Sequence, residues 1–172
     1  DRERATQTLG LPIMIAALAE EQHANPRDVS SVRTVAHGGS PITTEVIRRA
    51  ISAFPNAELT HIYGATELAP IATVLRHEER IPHSDLLRSC GQAVPGVAIR
   101  VVDAQGDELP AGDVGEIAVS GPNVMQGYWN KPEQTAVVLK EGWYLSGDLG
   151  CMDVNGFLFL MDRAKDMIVT GG

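Results

Sequence analysis

The sequence predicts an α/β protein in which a partial α/β layer (helix, strand, helix, strand) is followed by a mostly β, distorted-barrel-like subdomain. Helical and strand-like apolar spacings alternate over the first 90 residues. From Gly91 onward, short β-rich runs are separated by turns that contain Gly, Pro and Asp. We therefore expect an α/β part over residues 1–90, a β-rich part over 91–165, and the start of a hinge connection over 166–172.

The α/β part is predicted from helix signals and alternating runs. The segment from about Leu9 to Ala24 carries apolar residues at helical spacing and ends before Asn25-Pro26, which predicts a helix. A second helix is predicted from Thr43 or Thr44, either of which can cap it, to about Phe54. Strands are predicted at residues 32–36, 59–63 and 71–75.

The β-rich part is predicted from three short apolar runs between turns. These runs are Val97–Val102, Gly115–Val119 and Gly156–Met161. One short helix is expected from Pro132 to about Leu139, with Asn130 as its cap.

The composition argues against several classes of protein. With 44% hydrophobic and 21% charged residues, the chain resembles folded globular proteins rather than disordered ones. Its formal net charge of -8 disfavours nucleic acid as a partner, because the phosphate backbone is itself negative. The apolar stretch from Leu9 to Leu18 is too short to cross a bilayer and lacks the flanks of a signal peptide. A cytoplasmic protein without a transmembrane segment is expected, with Cys90 and Cys151 as thiols.

Both ends of the chain have features of internal positions. The chain begins with a charged, helix-like stretch, Asp1–Arg4, without an initiator Met, and it ends on Gly171-Gly172 after a strand-like run. We therefore expect a segment of a longer protein.

The first candidate motif is His37-Gly38-Gly39-Ser40-Pro41, at the end of a predicted strand. Glycine has no Cβ, so the backbone can approach a flat ligand or adopt positive φ angles. A tight turn between a strand and a helix is the alternative, and the motif alone favours it.

The second candidate is Tyr63-Gly64-Ala65-Thr66-Glu67. It combines an aromatic face that can stack on a base, a glycine for close approach, a hydroxyl for a phosphate oxygen and a carboxylate for Mg²⁺. The alternative is a core tyrosine followed by a helix that Thr66 caps. The motif by itself does not decide between them.

Two later motifs are also candidates. Asp148, after Gly147, can accept two hydrogen bonds from a ribose diol, although a turn aspartate in a hairpin fits nearly as well. Asp162–Asp166 alternates in charge between two β-like runs, which is usual for a solvated turn.

In order and spacing, these motifs together resemble the adenylate-forming superfamily of acyl-CoA synthetases, luciferases and peptide-synthetase adenylation domains. The stretches that carry the resemblance cover roughly the whole chain after residue 31: Gly38–Pro41, Tyr63–Glu67, Gly115–Ile117 with Gly121 and Gly127–Trp129, Gly142-Trp143 with Ser146–Asp148, and Asp162–Gly172. Agreement of five motifs in order is far more specific than any one of them. The chain is thus similar to the carboxyl-side part of the large lobe of such a protein.

The resemblance implies a nucleotide site with Mg²⁺. It places Gly38, Gly39 and Ser40 on one face of the adenine and Tyr63 on the other, with Gly64 and Ala65 in the same loop. Thr66 would meet the α-phosphate and Glu67 the Mg²⁺, as the catalytic pair. Asp148 would hold the ribose hydroxyls, and Arg163 would reach the ribose or phosphate. Lys165 would be the hinge residue, and His61 stands where relatives often have an amide that faces the adenine amino group.

The resemblance also implies the reaction. A carboxylic acid and ATP form an acyl-adenylate and pyrophosphate, and coenzyme A then takes the acyl group. Small and apolar residues near Thr66 favour a fatty or otherwise apolar acid. The phosphate loop and the small lobe of relatives are not among these 172 residues, so the segment alone is expected to be inactive. Two alternatives stay open: an adenylation domain that loads a carrier protein, and a non-catalytic nucleotide-binding module.

Overall fold

The computed structural model describes residues 3–40, 42–76 and 85–163. The chain divides into two compact units. The first comprises Asp1–Ile62 and Leu75–Arg88, and the second comprises Tyr63–Val74 and Ser89–Gly172. Lys165 and the hinge predicted around it lie outside the described residues.

Among its described residues, the first unit contains three parallel strands and two α-helices. The strands are β1 (Gln7–Gly10), β2 (Thr34–Gly38) and β3 (Glu58–Tyr63), the last of which ends on the first residue of the second unit. β2 lies between the other two, with Gln7 opposite Thr34 and Thr34 opposite Glu58. The helices α1 (Pro12–Ala24) and α2 (Thr44–Ala53) connect successive strands, as parallel pairing requires. This order confirms the predicted α/β class.

Helix α2 starts where its cap predicts. The Oγ1 of Thr43 accepts a hydrogen bond from the backbone N–H of Val46 at 3.3 Å, which satisfies one of the unpaired donors of the first turn. The helix buries its inner face against the strands and α1. The apolar core of the first unit consists of Ile15, Ala19, Val35, Ile47, Ala50, Ala53, Phe54, Ala57, Leu59 and Leu87.

The predicted start of the first helix is wrong. Residues Gln7–Gly10 form β1, and α1 begins at Pro12, whose fixed φ suits the first helical position. Four residues, of which only Leu9 is a large apolar one, carry too little pattern to distinguish a strand from a helical turn. The helix-like character expected near Arg4 is also wrong, because Arg4 has a φ of 46°. The first predicted strand lies two residues later than expected, at Thr34–Gly38.

The second unit is mostly β, which confirms the predicted β-rich texture. The strand β4 (Thr73–Leu75), whose last residue belongs to the first unit, pairs antiparallel with β5 (Gln92–Ala93), through Thr73–Ala93 and Val74–Gln92. A second, antiparallel sheet has the order β10-β9-β7-β6, with β8 paired to β9. Its strands are β6 (Ala98–Val102), β7 (Gly115–Ser120), β8 (Leu139–Lys140), β9 (Trp143–Met152) and β10 (Leu158–Arg163).

Two local predictions in the second unit are wrong. The short helix α3 spans Pro132–Val138, but Lys131 is its N-cap, and Asn130 instead adopts a left-handed φ of 53°. Asparagine tolerates that conformation, so it serves a turn here and not a cap. The last strand starts at Leu158 and not at Gly156, because Gly156 has a φ of 81° within a turn.

The core of the second unit joins the Tyr63 segment to the antiparallel sheet. It consists of Tyr63, Leu68, Ala72, Cys90, Ile117, Val119, Tyr144 and Leu158. Cys90 and Cys151 are not joined in a disulfide, in agreement with the expectation of thiols. Among the described residues, no helix has the length and apolar character needed to cross a membrane.

Candidate functional site

Tyr63 and Asp148 meet through a hydrogen bond. The Tyr63 hydroxyl donates to Oδ2 of Asp148 at 2.9 Å, across 85 residues of sequence. Tyr63 is only 8% exposed, and burial raises the pKa of its phenol well above the usual range, so it stays a neutral donor. The hydrogen bond fixes the orientation of a half-buried carboxylate.

The backbone around Asp148 is held by a short polar turn within β9. The N–H of Asp148 donates to Oγ of Ser146 at 3.1 Å, and the N–H of Gly147 donates to Oε1 of Glu116 at 2.9 Å. Gly147 has a φ of 72°, which a residue with a Cβ adopts only with strain. These contacts explain why Ser146-Gly147 precedes the carboxylate.

The segment after Tyr63 is a tight turn that presents two polar side chains. Gly64 lies against the backbone of Pro70 and Ile71, where a Cβ would overlap the Pro70 carbonyl. Residues Thr66–Leu68 then form one turn of 3₁₀ helix that is anchored by the fully buried Leu68. Thr66 is exposed and Glu67 is half-buried. Thr66 makes no side-chain cap, since Ala65 is at the N-cap position.

Glu67 is held by a segment that the sequence did not connect to it. The Tyr128 hydroxyl donates to Oε1 of Glu67 at 2.7 Å, and the N–H of Met125 donates to the Glu67 carbonyl at 2.8 Å. Tyr128 belongs to the Gly127–Trp129 motif that carries the family resemblance, but the resemblance implies no role for it. No local signal links it to Glu67, because the two residues are 61 positions apart.

Arg163 is opposite Asp148 in the sheet. The register of β9 and β10 pairs these two residues after an irregularity between Leu160 and Asp162. The backbone of Arg163 therefore lies beside Asp148, the other residue that the resemblance associates with the ribose.

The predicted residues of the first unit occupy the end of β2 and the neighbouring strand. Gly38 is opposite Ile62, and a Cβ on Gly38 would lie 2.5 Å from the Ile62 carbonyl oxygen. Gly39 has a φ of 79°, and Ser40 is half-buried. His61 is 9% exposed and stacks on the fully buried His37, with ring centroids 4.6 Å apart. Close packing and a positive φ thus account for both glycines without a ligand.

All three tyrosines of the chain have raised pKa values. Burial raises those of Tyr63 and Tyr144, and the hydrogen bond to Glu67 raises that of Tyr128. A raised pKa means that the neutral phenols stabilise the fold fully below pH about 10, the usual value for an unfolded tyrosine, and that this stabilisation is lost as the pH rises further.

We therefore expect the phenolate absorbance of the native chain at alkaline pH to appear at higher pH than that of the chain in denaturant. A spectrophotometric titration measures this, and circular dichroism over the same range detects unfolding. Coincident titration curves for a chain that is still folded would contradict the prediction.

Among the described residues, no three or more His, Cys, Asp or Glu side chains are grouped closely enough to hold a metal ion by themselves. Within the part of the chain that the structure describes, Glu67 belongs to no such group.

Comparison with known proteins identifies the family. The family model described as AMP-binding enzyme matches residues 1–129. The chain belongs to the AMP-binding enzyme family. The resemblance to the adenylate-forming superfamily is thereby confirmed, as is the α/β class with a β-rich part.

Relatives within this family differ in what they act on. The chain is 38% identical over 172 residues to a feruloyl-CoA synthase from Amycolatopsis sp, covering 100% of the chain and 34% of that protein. It is 38% identical over 175 residues to the medium/long-chain-fatty-acid–CoA ligase FadD8 of Mycobacterium tuberculosis, covering 100% of the chain and 30% of that protein. The chain thus spans about a third of the length of these relatives.

A solved structure agrees with this AMP-binding fold. The amide bond synthetase McbA from Marinactinospora thermotolerans superposes with a TM-score of 0.90 at 37% identity, covering 98% of the chain and 33% of that protein. The described backbone therefore has the architecture of this family.

Proposed function

We propose that this chain is part of an ATP-dependent acid–thiol ligase of the acyl-CoA synthetase type. The whole protein activates a carboxylic acid as an acyl-adenylate and transfers the acyl group to coenzyme A. The observation that carries the proposal is the Tyr63–Asp148 hydrogen bond, in the same unit as the Thr66–Glu67 turn, in a chain of the AMP-binding family.

The nucleotide roles follow from the chemistry of these side chains. Asp148, with its orientation fixed by Tyr63, accepts hydrogen bonds from the ribose hydroxyls, and the exposed Thr66 hydroxyl donates to the α-phosphate. The backbone at Gly64 and Ala65 lies next to the adenine base of the nucleotide. The roles of Gly38, Gly39, Ser40, His61 and Arg163 stay predictions, and so does that of Lys165.

Mg²⁺ fits the residues at Glu67. A single half-buried carboxylate, with no acidic cluster around it in the described part of the chain, suits an ion that takes most of its ligands from phosphates and water. When bound, Mg²⁺ neutralises phosphate charge as the acid approaches the α-phosphate. Glu67 and Thr66 supply the contacts of this chain to that centre.

The reaction has two balanced steps. A carboxylate oxygen of the acid bonds to the α-phosphorus of ATP, and the bond to pyrophosphate breaks. The thiol of coenzyme A then loses its proton to water, its sulfur bonds to the acyl carbon, and AMP leaves with the electrons of the broken bond between the acyl carbon and the phosphate oxygen. In the first step two anions are brought together, so these residues act by positioning and charge compensation.

The acid and the acceptor are finer proposals. Ala69 and Pro70, both exposed, follow Leu68 and favour an apolar acid, either fatty or aromatic, as the two relatives above illustrate. Coenzyme A is the preferred acceptor. Transfer to an amine is the alternative that the amide bond synthetase suggests, and transfer to a carrier protein is the alternative from the sequence.

The test is acid-dependent exchange of labelled pyrophosphate into ATP by the full-length protein that carries this chain. We expect exchange with at least one member of a panel of fatty and hydroxycinnamic acids, and thioester formation when coenzyme A is added. If the protein catalyses exchange but forms no thioester, and forms an amide when an amine is supplied, the acceptor is an amine and not coenzyme A. Exchange with no acid in a folded protein that also fails to bind AMP would refute the proposal.

A further inference from the structure

The turn that carries Glu67 is held by three residues of the segment 121–128, which lies between β7 and α3 and is called here the 121–128 loop. Tyr128 holds the Glu67 side chain, and Met125 holds its backbone carbonyl. Asn123 donates to the carbonyls of Leu68 at 3.0 Å and Ile71 at 2.8 Å, just after Glu67. The turn that carries Glu67 is therefore braced from one side by hydrogen bonds to both side chain and backbone.

Tyr128 is itself anchored. Its N–H donates to Oγ1 of Thr135 in α3 at 2.9 Å, and that hydroxyl donates to the Lys131 carbonyl at 2.9 Å. Gly127 packs on the same threonine, since a Cβ there would lie 2.9 Å from Thr135 Cγ2. The phenol thus reaches Glu67 from a backbone whose position is set by α3.

The hydrogen bond occupies only one carboxylate oxygen. A carboxylate offers about four acceptor directions on its two oxygens. Within the described residues, Oε1 receives the Tyr128 hydroxyl, and no donor contacts Oε2. A neutral phenol donor thus fixes the rotamer of Glu67 without neutralising its charge.

We propose that Tyr128 is a positioning residue that orients Glu67 for the divalent cation of the bound nucleotide. The inference rests on the proposed function, because it needs a metal–nucleotide complex at Glu67. Residues that hydrogen-bond to a metal ligand typically change metal affinity by about ten- to a hundredfold when they are removed. Tyr128 suits this role because its hydroxyl donates a hydrogen bond to Glu67 and its backbone is anchored on Thr135.

The test compares Tyr128→Phe with Asn123→Ala in the full-length protein. Tyr128→Phe keeps the ring and removes only the donor to Glu67. Asn123→Ala removes two hydrogen bonds of the same loop without touching the carboxylate. Mn²⁺ replaces Mg²⁺ as the probe, and electron paramagnetic resonance measures its affinity for the protein–ATP complex, without turnover, while thermal unfolding measures stability.

We expect Tyr128→Phe to weaken Mn²⁺ binding about tenfold. It should also raise the Mg²⁺ concentration for half-maximal pyrophosphate exchange by a similar factor, with kcat at saturating Mg²⁺ nearly unchanged. Asn123→Ala should lower the unfolding temperature and leave Mn²⁺ affinity close to the wild-type value. In a Glu67→Gln background, adding Tyr128→Phe should cause no further loss.

Two results would overturn the inference. Wild-type Mn²⁺ affinity in a folded Tyr128→Phe variant would show that the hydrogen bond only braces the loop. Equal losses of affinity in Tyr128→Phe and Asn123→Ala would show general loosening of the turn. Failure of the proposed function is distinguishable from both, because it would appear in the wild-type protein as an absence of nucleotide-dependent Mn²⁺ binding.

Discussion

Replacing Asp148 with Asn in the full-length protein is expected to lower kcat/KM for ATP in pyrophosphate exchange by roughly 30- to 150-fold, because a hydrogen bond to a charged group contributes about 2–3 kcal/mol. Asn keeps the shape of the side chain and one acceptor oxygen for the Tyr63 hydroxyl, so the fold should persist. The loss then reports the contact of the carboxylate with the ribose.

The ribose assignment is tested by a substrate that lacks the diol. Wild-type protein should lose much of its kcat/KM when 2′,3′-dideoxy-ATP replaces ATP, whereas Asp148→Asn should lose little more. The control is Asp113→Asn, an exposed turn carboxylate that should match the wild type. Equal discrimination between the two nucleotides by Asp148→Asn and wild type would contradict the assignment.

The second large effect is expected at Gly64. An added Cβ would overlap the carbonyl oxygen of Pro70 and lie 2.8 Å from its carbonyl carbon. Backbone atoms cannot rotate away as a side chain can, so Gly64→Ala must displace the turn between Tyr63 and Glu67. We expect a loss of at least about 3 kcal/mol in the free energy of unfolding, at the upper end of overpacking effects.

The measurement is urea unfolding, with Gly106→Ala as the matched control. Gly106 has a φ of 91°, and a Cβ added there would have no atom within 4 Å, so its substitution adds backbone strain without a clash. That strain should cost about 1–2 kcal/mol. A Gly64→Ala chain as stable as Gly106→Ala would mean that the turn yields easily and that the close approach has no structural consequence.

The fold was predictable where local signals are strong. The capping side chain of Thr43 predicts the start of α2, and turns rich in Gly and Asp predict the β-rich part. The strand β1 was missed because four residues carry too little periodicity to separate a strand from a helical turn. Asn130 was misassigned because the same side chain suits both a cap and a left-handed turn.

The sequence singled out candidate site residues, but it did not indicate the hydrogen bonds that connect them to the rest of the chain. The motifs identified Tyr63, Glu67 and Asp148 separately. Their partners are fixed by strand pairing and loop packing across 85 and 61 residues, for which the local sequence carries no signal. Tyr128 therefore gained a role only from the structure.

The most direct measurement is a crystal structure of the full-length protein with Mg²⁺ and a non-hydrolysable ATP analogue. We predict both ribose hydroxyls within hydrogen-bonding distance of the Asp148 carboxylate, and Mg²⁺ bound to Glu67 Oε2 while Oε1 keeps the Tyr128 hydroxyl. A nucleotide bound elsewhere, with Asp148 contacting only protein groups, would contradict the account.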